Sequence, residues 1–180
     1  RHIFLDEALS HRAYEDVALP IGFNQTISQP YVVARMTEAI LTTGSMNRVL
    51  EIGTGCGYQT SVLAQLSKSV FSVERIKPLQ EKARKNLRLI GLRNIEFKHD
   101  DGAQGWAERG LYDAIIATAA PQSIPRELLQ QLADGGRLVI PVGGEYDQEL
   151  TLVTRKGNEF SYQVLDVVRF VPLLQGQLQH

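Results

Sequence analysis

Short apolar runs recur along the chain at 48–52, 70–73, 95–98, 112–117 and 137–140, and each has the length and composition of a strand buried on both faces. Between most of them the apolar positions fall at steps of three and four. Ile76, Leu79, Ala83, Leu87 and Ile90 mark one such helical face, and Gly91 stands where that helix has to stop. Tyr58 to Leu66 and Ile124 to Leu132 read as helices in the same way. Strands that alternate with helices need right-handed crossovers, so the pattern predicts an α/β fold: a mostly parallel central sheet with helices on both faces. Beyond Gly144 the period changes. Leu150 to Arg155 and Tyr162 to Val168 alternate as strands do, and Lys156-Gly157-Asn158 turns the chain between them, which places an antiparallel pair at one sheet edge. Ahead of the first strand, Ala18 to Gln29 is a loop punctuated by Pro and Gly. It leads into an apolar-periodic helix, Tyr31 to Leu41, with Ser28 at the expected N-cap.

With no repeat and no low-complexity linker, 1–180 is expected to form a single domain. Residues 1–47 would supply the loop and leading helix, 48–144 the βα core and 145–180 the C-terminal strands. A chain of 180 residues, 43% hydrophobic, buries roughly 70% of its unfolded surface, so no staple is required. The lone Cys56 has no intrachain partner, which favours a reducing compartment, the cytoplasm. No apolar run approaches the ~20 residues that cross a bilayer, and Arg1 to Asp6 lack the apolar stretch of a secretory signal, so no membrane insertion is expected. The 19 basic and 20 acidic side chains leave a net charge of −1, without the basic excess that grips phosphates, so a nucleic-acid partner is not expected. Lys77, Lys82, Arg84, Lys85 and Arg88 form the one dense basic cluster, and it reads as the solvated face of an amphipathic helix.

Chemistry enters at Val49-Leu50-Glu51-Ile52-Gly53-Thr54-Gly55-Cys56-Gly57-Tyr58, which runs from a strand through three alternating glycines into a helix. Such a turn lets a ligand approach the backbone closely. Glu74 follows about 20 residues after Gly53, at the end of the second strand, where a ribose hydroxyl is held in α/β nucleotide sites. The spacing discriminates among nucleotides. A dinucleotide fingerprint needs glycine at the position of Tyr58, and a phosphate loop needs Lys followed by Ser or Thr after the last glycine, where Tyr58 and Gln59 stand. A ligand with a ribose and no phosphate remains, which describes S-adenosylmethionine.

The turn resembles the first motif of Rossmann-like methyltransferases and, more closely, that of the protein-L-isoaspartate O-methyltransferase family, through Gly53 to Thr60 and Ser72-Val73-Glu74-Arg75. Three further stretches carry the likeness over nearly the whole chain. Ala18 to Pro30 resembles the family's loop over the active site, Tyr112 to Pro121 the strand whose end faces the methyl donor, and Val168 to Leu173 the segment that helps form the substrate cleft. The resemblance implies a methyltransferase that esterifies the free α-carboxylate of isoaspartyl residues in damaged proteins and peptides and yields S-adenosylhomocysteine. It implies Ser28 as the active-site serine. Gly53, Thr54 and Gly55 would meet the amino-acid end of the cofactor, Glu74 and Arg75 its ribose, and Asp101 and Gly102 its adenine, with Thr26 and Ile27 also against it. Leu19, Ile21, Ala119, Ala120, Val171, Pro172 and Leu173 would line the substrate side.

Some positions depart from the family pattern. Phe23-Asn24 stands inside the active-site loop where a Gly-x-Gly form is usual, and Asn tolerates a positive φ. Asp100 precedes Asp101-Gly102 where glycine is usual, which adds a carboxylate near the expected adenine pocket. The family also carries a further helical segment ahead of the position of Arg1. An isoaspartyl α-carboxylate has a pKa of about 3.5 and reacts as the anion, so no general base is required. None of His2, His11, His99 and His180 needs a catalytic role, and Cys56 reads as a small filler of the glycine turn rather than a nucleophile. No Cys or His pair has metal-ligand spacing. Two other readings stay open: a small-molecule or RNA methyltransferase on the same fold, and a silent S-adenosylmethionine-binding module that works through protein contacts. A monomer is expected.

Overall fold

The structure, a computed structural model, describes residues 1–41 and 46–179. His180 lies outside the described residues. Two 3-10 turns, His2–Phe4 and Glu7–Arg12, lead into a hairpin of β1 (Leu19–Gly22) and β2 (Gln25–Ile27). Phe23 and Asn24 form its two-residue turn with φ of 54° and 55°, the pair of positive values that a type I′ turn demands. Helix α1 (Pro30–Ile40) follows. The core continues as β3 (Met46–Ile52), α2 (Tyr58–Leu66), β4 (Ser67–Glu74), α3 (Lys77–Leu89), β5 (Ile95–His99), β6 (Tyr112–Ala117), α4 (Arg126–Gln130), β7 (Leu132–Gly143), β8 (Gln148–Lys156) and β9 (Glu159–Val168).

The seven strands from β3 onward form one sheet in the order β5-β4-β3-β6-β7-β8-β9. β5, β4, β3, β6 and β7 run parallel, whereas β8 and β9 are antiparallel and close one edge, as the change of period past Gly144 predicts. Adjacent strand residues face opposite layers. Val49 and Ile116 join Met36, Ile40 and Leu63 on one face, while Leu50 and Ile115 join Phe71, Leu128 and Leu138 on the other. A third apolar cluster lies outside the sheet, where Phe4, Leu5, Leu19, Ile21 and Ile27 pack on Leu79, Ala83 and Leu87 of α3. That cluster fastens the hairpin over the glycine turn.

Three local expectations are corrected. The stretch from Ala18 to Gln29 is not loop throughout, because β1 and β2 pair across the Phe23-Asn24 turn. Ser28 is not the cap of α1: Gln29 holds the N-cap position, Pro30 takes the first helical residue, and the Tyr31 N–H donates to Asp16 Oδ1 at 2.9 Å. A carboxylate distant in sequence satisfies the helix start, which frees the Ser28 side chain. Helix α4 is also shorter than the 124–132 pattern suggests. The Tyr112 N–H donates to the Gln131 carbonyl at 2.8 Å and Leu132 pairs with Tyr112, so β6 draws the end of the apolar run into the sheet.

Candidate functional site

Strand order reverses between β3 and β6, and in an α/β sheet the crevice beyond the carboxyl ends at such a point is the place for a ligand. Gly53 leaves β3 there with its N–H on the Val73 carbonyl at 2.8 Å, and Thr118 leaves β6 with its N–H on the Ile52 carbonyl at 2.9 Å. Gly53 has φ of 93°, and a Cβ at that position would overlap Thr118 Oγ1. Only glycine fits. The third glycine, Gly57, begins α2 against Leu87 and Ala83 of α3, so the turn is pinned from behind as well.

Glu74 ends β4 as a buried carboxylate. Its Oε2 accepts from Gly55 N at 2.8 Å and its Oε1 from Ile76 N at 2.9 Å. Burial raises its pKa and the backbone N–H donors pull it down. Each oxygen keeps a lone pair, so the carboxylate has acceptor capacity for a diol. One layer deeper, Glu51 is fully buried. Its Oε2 accepts from Thr60 Oγ1 at 2.6 Å and Ser72 Oγ at 2.5 Å, Ser72 Oγ lies 2.6 Å from Thr54 Oγ1, and Glu51 Oε1 has no partner among the described residues. Burial pushes the Glu51 carboxyl up to about 8, a shift to which the charge of Glu74 adds and which the two hydroxyls reduce. Cys56 is buried and its thiol is pushed up to about 11, chiefly by burial, which leaves it inert at neutral pH.

Two cavities open on this ground. The smaller, about 90 Å³, is lined by Thr26, Ile27, Ser28, Gly53, Thr54, Gly55, Glu74, Arg75 and Gly102, together with Ile21, Ala119, Val171, Pro172 and Leu173. The larger, about 430 Å³, is lined among others by Tyr31, Arg35, Tyr146, Asp166, Arg169 and Phe170. Thr26, Ser28, Thr118 and Val171 line both. The structure therefore brings together all but three of the residues expected at the site. Leu19 is buried in the cluster beneath the hairpin. Ala120 bridges the C-terminal segment, its N–H on the Val171 carbonyl at 2.8 Å and its own carbonyl accepting from Leu173 N at 2.8 Å. Asp101 stands outside both cavities, its Oδ1 accepting from Ala103 N and its Oδ2 from Gly176 N.

The same C-terminal segment is stitched across the ends of β4 and β5. Leu178 N donates to the Arg75 carbonyl at 2.7 Å, Arg75 Nε to the Gly176 carbonyl at 3.2 Å, and Gln177 Nε2 to Asp100 Oδ1 at 3.0 Å. Asp100 also pairs with Lys98 at 2.9 Å, and Lys98 and Gln177 hold its carboxyl down to about 2. The additional carboxylate thus serves the tail and a lysine. His99 Nε2 lies 2.9 Å from the Arg75 carbonyl and 3.2 Å from that of Leu178, and His2 Nδ1 lies 2.6 Å from the Tyr14 hydroxyl. In the basic cluster of α3, Lys82 pairs with Asp6, and Arg84 lies over the Phe97 ring at 4.6 Å.

Sequence reasoning missed the larger cavity. Its Arg35 and Asp166 are joined at 3.2 Å across a separation of 131 residues, for which no local pattern gives a signal. The backbone of Thr118 to Pro121, just past β6, was expected to help orient the carboxylate, but the Thr118 side chain drew no assignment. Its hydroxyl donates to the Gly53 carbonyl at 2.8 Å and locks the two strand ends together.

A family model described as protein-L-isoaspartate(D-aspartate) O-methyltransferase matches residues 1–178. A protein-L-isoaspartate O-methyltransferase of Cellvibrio japonicus is 61% identical over 180 residues, covering 98% of this chain and 80% of that protein. Among solved structures, a protein-L-isoaspartate O-methyltransferase superposes with a TM-score of 0.84 at 30% identity, over 96% of this chain and 57% of that one. A Plasmodium falciparum chain assigned to the same activity, in complex with S-adenosyl-L-homocysteine, superposes with a TM-score of 0.79 at 28% identity, over 97% and 85%.

Proposed function

The chain belongs to the protein-L-isoaspartate(D-aspartate) O-methyltransferase family, and from that membership we infer how its two cavities divide the reaction. The protein transfers the methyl group of S-adenosylmethionine to the free α-carboxylate of L-isoaspartyl residues in damaged proteins and peptides, which initiates repair through a succinimide.

The observation that carries the division of labour is the wall of Thr26, Ser28, Thr118 and Val171 that the two cavities share. The smaller cavity suits an adenosyl ligand: three of the residues around it are the glycine-turn backbone at Gly53, Thr54 and Gly55, and the Glu74 carboxylate beside them has spare acceptor sites. Gly53, Thr54 and Gly55 would hold the amino-acid end, Glu74 and Arg75 the ribose, and Gly102 the adenine, with Thr26 and Ile27 also lining the cavity. Asp101 contributes by anchoring Gly176 of the C-terminal segment. Bound S-adenosylmethionine supplies a methyl group activated by the sulfonium that carries it.

The larger cavity takes the polypeptide. Ser28 projects from its wall with a hydroxyl that makes no hydrogen bond among the described residues, and it donates to one oxygen of the acceptor carboxylate while the other faces the methyl donor. Thr118 N and Ala120 N are already committed to backbone carbonyls and Pro121 has no N–H, so any backbone donor from this turn has to come from Ala119. Ile21, Ala119, Val171, Pro172 and Leu173 keep water from the crevice. Because the acceptor is an anion, the chain holds and dries the reactants and removes no proton. Esterification turns the carboxylate into a methyl ester, and the following backbone nitrogen attacks the ester carbonyl carbon, giving up its proton and expelling methanol, to close the succinimide, whose hydrolysis returns some normal aspartate.

We place the protein in the cytoplasm as a monomer that needs no nucleic acid, which suits its single thiol and net charge of −1; no helix among the described residues is long and apolar enough to cross a membrane. The reaction is tested by incubation with methyl-labelled S-adenosylmethionine and a matched peptide pair, one isoaspartyl and one aspartyl. Base-labile label on the isoaspartyl peptide alone is expected; equal labelling of both, or binding of the cofactor without transfer, refutes the assignment.

A further inference from the structure

The Arg1 side chain is buried, with 9% of the residue exposed. Its guanidinium converges on five backbone carbonyls from two stretches of chain. Nη1 donates to Ala13 at 2.8 Å and Glu15 at 3.1 Å, while Nη2 donates to Val17 at 2.6 Å, Ile27 at 3.5 Å and Ser28 at 3.0 Å. None of the ion pairs among the described residues includes it. A desolvated cation without an ion-pair partner is costly; here the carbonyl dipoles offset it together with the nearby charge of Asp16, while Nε is buried without a partner among the described residues. The planar fork is what allows one side chain to reach carbonyls that point inward from different directions; an ammonium is a single point with three donors.

The target matters more than the number of bonds. Holding the carbonyls of Ile27 and Ser28 fixes the peptide planes on both sides of the Ser28 Cα, and with them the direction of its Cα–Cβ bond. The stretch bound at the other end of the guanidinium is tied to the same place a second time. Asp16 lies within it, and its carboxylate accepts from Tyr31 N at 2.9 Å while its carbonyl accepts from Gln29 Nε2 at 3.0 Å. The segment 13–17 and the hairpin exit 27–31 thus form one clamp, with Ser28 at its centre and the Arg1 guanidinium as the pin.

We propose that Arg1 is a positioning residue for methyl transfer: it sets the orientation of Ser28 toward the acceptor carboxylate through the Ile27 and Ser28 carbonyls and touches neither reactant. Its role rests on the assignment of Ser28 above. The test is a double-mutant cycle on an isoaspartyl peptide at saturating cofactor, with Arg1→Lys, Ser28→Ala and the double variant, alongside calorimetric binding of S-adenosylhomocysteine. Misplacing a reacting group costs on the order of tenfold to a hundredfold, so Arg1→Lys is expected to lower kcat about tenfold. Affinity for S-adenosylhomocysteine should stay within about threefold, because the lost contact acts on the transition state rather than on cofactor binding. The double variant should be no slower than Ser28→Ala alone, since Ser28 carries the effect of Arg1. Losses that multiply in the double variant, full turnover in Arg1→Lys, or a loss of product affinity that matches the loss of kcat overturns the role of Arg1 while Ser28 stands. Arg1→Lys that is unfolded at the assay temperature assigns Arg1 to general stability and overturns the role as well. A Ser28→Ala enzyme with the wild-type rate instead removes the Ser28 assignment on which it depends.

Discussion

The two sides of the crevice are built from different kinds of sequence. On one side, Gly53, Gly55 and Glu74 come from the ends of adjacent parallel strands, and a hydrogen bond from Gly55 N to Glu74 Oε2 joins them directly. Behind them lies a buried layer of Glu51, Thr60, Ser72 and Thr54 whose polar atoms meet one another. On the other side, Ser28, Thr118 and Val171 come from three distant parts of the chain, and Ser28 is held from outside by Arg1 and Asp16. The first wall is rigid because the sheet makes it so. The second is an assembly of loops, suited to admitting a polypeptide, and its geometry depends on a few side chains that cross between segments.

The difference predicts a descending series of effects. Gly53→Ala should be the most damaging change, because the left-handed backbone costs an L-residue about 1–2 kcal/mol and the new methyl group also meets Thr118 Oγ1. We expect a loss of S-adenosylhomocysteine binding of a hundredfold or more, on the order of 3 kcal/mol, read by calorimetry; wild-type affinity would mean that the cofactor does not rest on this turn. Glu74→Gln leaves the fold intact but sets an amide NH2 against the Gly55 or Ile76 N–H and removes a charged acceptor. A hydrogen bond to a charged group contributes about 1.5–3 kcal/mol, so cofactor Kd should rise by about tenfold to a hundredfold, and an unchanged Kd would move the ribose elsewhere.

Glu51 gives a pH-dependent effect that is read in stability rather than in cofactor binding. Its folded pKa is raised from the ordinary carboxylate value of 4.5 to about 8, so its contribution to stability is fully present below the unfolded value and is lost as pH rises through the folded one. Denaturation of the wild type should therefore show stability declining from pH 5 to 8 relative to Glu51→Gln, which has no proton to lose; parallel profiles for the two proteins would show that Glu51 is ionised in the fold. The smallest effect belongs to the loop wall. Phe23 is a bulky, 46% exposed residue at φ of 54°, and Phe23→Asn places there a residue that tolerates the conformation. A gain of up to about 0.5 kcal/mol in thermal unfolding is expected, and a loss would mean that the Phe23 ring contributes packing.

The same contrast explains what the sequence made legible. Apolar runs and helical periods located all five core strands and most helices, because buried parallel strands and amphipathic helices write their burial locally. The glycine turn and Glu74 were readable for a similar reason: both are strand ends at a fixed spacing. The loop wall was less so. Ser28 lines both cavities but was mistaken for a helix cap, because the actual partner of the α1 start, Asp16, lies outside any capping motif. Helix α4 lost its end to β6, a long-range pairing that outweighs local periodicity. Asp101 and Asp100 are joined to Gly176 and Gln177, contacts that a reading of neighbours does not reach.

A crystal structure with S-adenosylhomocysteine and an isoaspartyl peptide bound together addresses the division of the two cavities most directly. The ribose should lie on Glu74, the sulfur should face the wall of Thr26, Ser28, Thr118 and Val171, and the peptide α-carboxylate should meet the Ser28 hydroxyl from the larger cavity. A sulfur turned away from Ser28, or a peptide seated outside the cavity of Arg35, Tyr146 and Asp166, is incompatible with methyl transfer across the shared wall.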